Sequence, residues 1–255
     1  MKNIDIAEHF QKYFRVIYAD KETLLKQVYK IRYEVFCEEL ALEKNCPKDV
    51  EKDEYDAYSY HFLLQHIPSG AYAGTVRFVS PPSGHPEYVL PFEKYCLHSV
   101  DKSIIDLSTL KHGTYGEVSR LAVPASFRKR AGEQKKPYVI GNYNQQASED
   151  NKRLFPYIAI GLYLTCCALF INKQLDYTFV MIEPRLARAM SRIGIVFKQA
   201  GDVIQYHGRR APFYITQDML SSNLKPEIMG LYSLINNQLA TQLPFRNGVD
   251  ADLAI

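Results

Sequence analysis

Gly116-Glu117-Val118-Ser119-Arg120-Leu121-Ala122-Val123 reads as a β-strand that carries a carboxylate, a hydroxyl and a guanidinium within a few residues. Its surroundings decide the fold class. Upstream, His61 to Ile67 and Tyr72 to Val79 are β-like runs joined by Pro68-Ser69-Gly70, a turn signal between paired strands, and Pro81 to Pro86 breaks the pattern afterwards. Further upstream lie a helical spacing over Ile4 to Tyr13, a short strand over Phe14 to Tyr18 and a helix from about Lys21 through Arg32 to Phe36. Glu43 to Asp56 is polar and reads as a loop. Downstream, residues 124–154 read as a mobile loop, followed by helix Phe155 to Asn172, strand Tyr177 to Ile182 and helix Pro184 to Ile193, which stops at Gly194. Val196 to Gln199 and Val203 to Tyr206 are expected to form a closing hairpin. The order predicts an α+β fold, a mixed and mainly antiparallel sheet flanked by helices. With no internal repeat and no long Gly/Ser linker, residues 1–255 are expected to form one domain.

Hydrophobic residues make up 47% and charged residues 23%, a profile that excludes disordered and fibrous classes. The 31 Lys and Arg exceed the 28 Asp and Glu by only three, so charge does not point to nucleic acid. The N-terminus lacks the apolar run of a signal peptide, so a cytoplasmic location is expected. Ile158 to Ile171, at 14 residues, falls short of the ~20 needed to cross a bilayer and predicts a buried helix rather than membrane insertion. The cysteines at 37, 46, 96, 166 and 167 form no CxxC pair or His-spaced cluster, so neither a metal site nor a disulfide framework is expected, and the odd count suits a reducing compartment.

Four blocks in order, RYEVFCEEL (32–40), EKDEYD (51–56), GTVRF (74–78) and GEVSRLAV (116–123), resemble the signature of acyl-homoserine lactone synthases and the related N-acyl amino acid synthases. FPYIAIGLYL (155–164), MIEPRLARAMSRIGIVFKQAG (181–201) and QYHGRRAPFYI (205–215) look like the C-terminal half of the acyltransferases associated with PEP-CTERM/exosortase systems, so the resemblance runs from about residue 13 to 216. It implies a GNAT-like acyltransferase fold in which the N-terminal helices and loop, up to about residue 58, cover the acceptor pocket. By the same resemblance Arg32 and Phe36 shape that pocket, Asp53, Asp56 and Arg77 form an interacting cluster, and Glu117, Ser119 and Arg120 line the acyl site. The chain has no tryptophan, whereas one follows the Arg-x-x-x-Phe block in lactone synthases. The acceptor is therefore expected to be the amine of an amino acid or similar small molecule rather than S-adenosylmethionine. A lactone autoinducer synthase and a non-catalytic acyl-binding sensor are the alternatives.

The residues point the same way by themselves. Aminolysis of a thioester needs a neutral amine, a base for its proton and donors for the oxyanion. Glu117, on a strand expected to be buried, has either a pKa raised by desolvation or a place in an ion-pair network with Arg120, Arg77 or Arg32. Coenzyme A-dependent relatives carry a glycine-rich loop whose backbone cradles the pyrophosphate, and Arg128-Lys129-Arg130-Ala131-Gly132-Glu133 offers only one glycine and an acidic residue there. An acyl-phosphopantetheine thioester on acyl carrier protein is the expected donor, with Arg128, Lys129 and Arg130 as docking cations for its acidic surface and acyl-coenzyme A as the lesser choice. No permanently bound cofactor or metal is expected.

Overall fold

The computed structural model describes residues 6–128 and 154–243. Helix α1 (Ile6–Tyr13) runs directly into strand β1 (Phe14–Tyr18), and α2 (Glu22–Arg32) continues as a π-helix over Tyr33–Glu39. Strands β2 (Ser59–His66) and β3 (Tyr72–Val79) form the expected hairpin, with Gly70 at φ 70° where the turn demands a left-handed residue. After α3 (Pro91–Cys96) come β4 (Tyr115–Ala122) and α4 (Ala125–Arg128). Then follow α5 (Leu154–Asn172), β5 (Tyr177–Ile182), α6 (Pro184–Ser191), β6 (Lys198–Gln199), β7 (Ile204–Gln205), β8 (Arg209–Thr216), α7 (Gln217–Asn223) and α8 (Pro226–Ala240). The sheet order is β1-β2-β3-β4-β5-β8-β6, with β7 paired to β8; only β4 and β5 run parallel.

Residues 158–170 of α5 are buried without interruption, because this helix is apolar on every side and lies between the sheet and α8. Among the described residues no helix is long and apolar enough to cross a membrane. Strand β1 is an edge, and α8 covers part of it: Val16 N donates to Gln238 Oε1 at 2.9 Å and Tyr18 N to Gln242 Oε1 at 2.8 Å.

Three expectations change. The stretches at 196–199 and 203–206 do not pair with each other; both β6 and β7 pair with β8, whose Pro212 disguises it as a non-strand. The polar segment ending at Asp56 closes in a short 3-10 helix, Glu54–Tyr58, capped by Asp53. Cys37 and Cys46 form a disulfide, with their Cα atoms 6.7 Å apart, because the chain after the π-helix doubles back in a way that spacing alone does not reveal.

Two features of β4 position the site. It pairs with β5 from Tyr115 opposite Tyr177 to Val118 opposite Val180 and no further, so the two strands separate beyond Val118. On its other side, Arg77 stands opposite Ser119 and Thr75 opposite Ala122, so β4 carries one extra residue there, a β-bulge. Arg120, in that bulge, adopts φ 51°, a backbone region costly for a residue with a side chain and frequent at functional sites.

Candidate active site

A buried ion cluster lies across α2, the capped 3-10 turn, β3 and β4. Arg32, at the end of α2, is fully buried; its Nε donates to Glu51, and its Nη1 donates to Asp56 Oδ1 at 2.6 Å. Arg77 Nη1 donates to Asp53 and, at 2.8 Å, to Asp56 Oδ1, while its Nε donates to Ser119 Oγ at 3.1 Å. Arg120 reaches Glu51 Oε1 at 3.1 Å, Asp53 Oδ2 at 3.2 Å and Glu43 Oε1 at 3.2 Å, and its guanidinium lies over the Phe36 ring at 5.7 Å. Three guanidinium groups thus share four carboxylates. Burial works against the Arg32 charge, but Asp56 and Glu51 outweigh it and raise its pKa. Burial likewise opposes ionisation of Asp56, and Arg32 and Arg77 overcome it and hold its carboxyl well below the usual range. His61, across β2 from Arg77, is pushed down to about 4 by burial, against the pull of Asp56 Oδ1 at 3.6 Å and with Arg32 and Arg77 adding to the depression.

Asp53 and Asp56 hold this position through local chemistry. Tyr55 N donates to Asp53 Oδ1 at 3.0 Å, and Asp53 N donates to Asp56 Oδ2 at 2.8 Å, a reciprocal capping box whose remaining lone pairs face the arginines.

Glu117 stands apart from the cluster. It is 3% exposed, and its Oε2 accepts Phe92 N at 2.8 Å, near the start of α3. No cation is within ion-pair distance of it among the described residues, so the ion-pair alternative for Glu117 does not hold. Burial raises its pKa to about 8, opposed by the Phe92 N–H and, at longer range, by Arg77 and Arg120.

Two cavities meet here. One, of about 200 Å³, fills the gap between the separating strands and is lined by Glu117 to Leu121, Val180 to Glu183, Tyr163 and Arg210. The other, of about 560 Å³, is lined by the polar segment 43–47 and 50–55 together with Tyr95. Glu43, Pro91, Arg120, Tyr206 and His207 line both. The first is the smaller and mixes apolar residues with Glu117, Glu183 and Arg210; the second is acidic and aromatic, with Tyr95 against Tyr55 at 6.4 Å and against Tyr206 at 6.3 Å between ring centres.

The structure therefore brings together Arg32, Phe36, Asp53, Asp56, Arg77, Ser119 and Arg120, with Glu117 on the same strand facing the narrower cavity. Arg128 is placed differently from the docking role expected of it: its Nε donates to Val123 O at 2.6 Å and it is ion-paired with Glu39, which ties α4 to the π-helix. Lys129 and Arg130 lie outside the described residues. Glu43 and Glu51 complete the cluster; Glu51 opens the acidic run that contains Asp53 and Asp56, whereas Glu43 carries no local signal.

Residues 31–135 match the family described as acetyltransferase (GNAT) domain. A search of curated proteins finds no match. Among solved structures the chain is similar to the AHL synthase LasI, at 16% identity and TM-score 0.55, covering 84% of this chain and 98% of that one. FeeM, an N-acyl amino acid synthase from uncultured soil microbes, matches at 12% identity and TM-score 0.51, covering 83% and 94%. The CoA-dependent acyl-homoserine lactone synthase BjaI with SAM and isopentyl-CoA matches at 16% identity and TM-score 0.52, covering 82% and 86%. At these identities the likeness is one of fold, in keeping with the GNAT domain matched over residues 31–135.

Proposed function

Starting from this acyltransferase fold, we propose that the chain transfers a fatty acyl group from a phosphopantetheine thioester to the amine of an amino acid or a similarly small acceptor. The observation that carries the reading is the junction of the two cavities beside Glu117. The gap between β4 and β5 suits an extended acyl-pantetheine arm, and the polar cavity under residues up to about 58 suits a small charged acceptor. The amine nitrogen attacks the thioester carbonyl carbon, its proton passes to the Glu117 carboxylate, the carbon–sulfur bond breaks as the amide forms, and Glu117 hands the proton to the departing thiolate, which leaves as the thiol. In this reading Glu117 is the base, Ser119 and Arg120 border the reacting carbonyl, and Arg32, Phe36, Asp53, Asp56 and Arg77 hold the acceptor wall.

The donor is acyl carrier protein rather than acyl-coenzyme A, a choice supported by the single glycine of segment 128–133 and by the basic Lys129 and Arg130. Equal or better kcat/KM with acyl-coenzyme A overturns it. The acidic and aromatic lining of the larger cavity favours one second reading, in which the acceptor carries a further cation, as S-adenosylmethionine does, and the product is a lactone. Mass spectrometry of lipid extracts from cells expressing the wild type or Glu117→Gln separates these readings. An acylated amino acid present only with the wild type is expected; an acylated lactone supports the second reading, and no new species overturns both.

A further inference from the structure

The hairpin joining β7 to β8 places a cation in the cleft that the reaction described above does not use. Ile204 pairs with Arg210 and Gln205 with Arg209, and the turn between them is tight: Tyr206 N donates to Gly208 O at 2.8 Å, with His207 at φ 49° and Gly208 at φ 104°. Tyr206, His207 and Arg210 consequently line the smaller cavity together with Glu117, whereas Arg209 is exposed. The other guanidinium of this cavity, Arg120, is saturated by Glu43, Glu51 and Asp53. Arg210 has no carboxylate within ion-pair distance among the described residues. The acidic side chain nearest in effect, Glu183, is itself ion-paired with Arg185. A partly desolvated guanidinium without a counter-ion is unfavourable in the free protein and becomes favourable when a ligand supplies the anion.

We infer that Arg210 binds the carboxylate of the amino-acid acceptor and thereby selects acceptors that have one. The inference rests on the reading of the acceptor as an amino acid. The fork of a guanidinium matches a carboxylate with two parallel hydrogen bonds. Arg210 and Glu117 line the smaller cavity and not the larger, so the amino-acid end of the acceptor enters the smaller cavity at the junction bordered by Tyr206 and His207, where it meets the donor's thioester. Because an α-amino acid carries its carboxylate one carbon from its amine, holding the carboxylate at Arg210 restricts where the amine lies beside Glu117. The same anion chemistry is present in the phosphate of the donor arm, and the two sources separate by which KM responds.

A pooled reaction of the standard amino acids, with acyl carrier protein thioester and separately with acyl-coenzyme A, identifies by product mass which acceptor is acylated. That amino acid and its decarboxylated amine are then compared as acceptors for the wild type, Arg210→Gln and Arg210→Lys. The expected result is a wild type that favours the amino acid. Arg210→Gln lowers its kcat/KM roughly 10- to 100-fold through KM, the size of a lost hydrogen bond to a charged group. It leaves the amine and the KM of the donor unchanged, and Arg210→Lys restores part of the loss. Equal losses on both acceptors, or a rise confined to the donor KM, overturn the inference. If the wild type acylates no amino acid, the proposed function fails and takes this inference with it; if it does and the preference survives Arg210→Gln, only the inference fails.

Discussion

Arg77 donates from Nε to Ser119 Oγ at 3.1 Å, straight across the β3–β4 ladder. The other end of the same guanidinium holds Asp53 and Asp56, so one side chain couples the capped turn that walls the larger cavity to the strand that carries Glu117, Ser119 and Arg120.

Removing Arg77 therefore leaves two carboxylates short of a partner in a buried setting. Arg77→Ala is expected to lower stability by about 3–5 kcal/mol, the usual cost of breaking a buried pair from one side. Ser119→Ala, which deletes only the acceptor oxygen, is expected to cost about 1 kcal/mol. Urea denaturation of the two variants measures the contrast, and similar small losses would show that the cluster is not held by Arg77.

Glu117 has a folded-state pKa raised to about 8 from 4.5, so the native state keeps a proton that the unfolded chain releases. Its contribution to stability is complete below 4.5 and is lost as pH rises toward 8. Glu117→Gln keeps an oxygen for Phe92 N and cannot ionise, so its melting temperature should gain on the wild type as pH rises through that window. In the proposed reaction the same ionisation supplies the base, so kcat/KM of the wild type should climb with a midpoint near 8, and Glu117→Gln should lose roughly 10²–10⁴-fold in rate along with that limb. A variant with wild-type turnover and an unchanged profile removes Glu117 from the chemistry.

His61 is the counterpart on the acid side. Burial keeps its imidazole neutral in the fold, with a pKa of about 4 against 6.5 for the free group, so its contribution is complete above 6.5 and lost as pH falls toward 4. Asp56 adds its own loss only when pH falls below 3.8. Urea midpoints measured at intervals between pH 7 and 4 should fall for the wild type and stay flatter for His61→Asn; parallel curves would mean that another group sets the slope.

The Cys37–Cys46 bond closes the loop that carries Leu42 and Glu43 to the two cavities, and Cys46 itself lines the larger one. Thiol titration of the unfolded chain should find three thiols before reduction, from Cys96, Cys166 and Cys167, and five after it. Replacing Cys37 and Cys46 by serine should cost about 2–3 kcal/mol through the freed unfolded chain and raise the acceptor KM as the wall loosens. Five thiols without reduction would exclude the bond.

Much of the fold was legible because its signals are local. The β-like runs of β2 and β3 with their Pro-Ser-Gly turn, the all-apolar α5 and the run Tyr177–Ile182 each announce their own conformation within a few residues. The blocks at 32–40, 51–56, 74–78 and 116–123 also named most members of the ion cluster, through the family resemblance that they carry. Three-dimensional proximity decided the rest. Which cation meets which carboxylate depends on how β3 and β4 align: Ser119 stands opposite Arg77, whereas Glu117 stands opposite Val79 and accepts Phe92 N instead. Arg128 became a strut because α4 lies against the π-helix, and Cys37 found Cys46 because the chain reverses between them. Pro212 hid β8 from any local rule, so the strand that brings Arg210 to the cleft exists only because β5 offers it a ladder to complete.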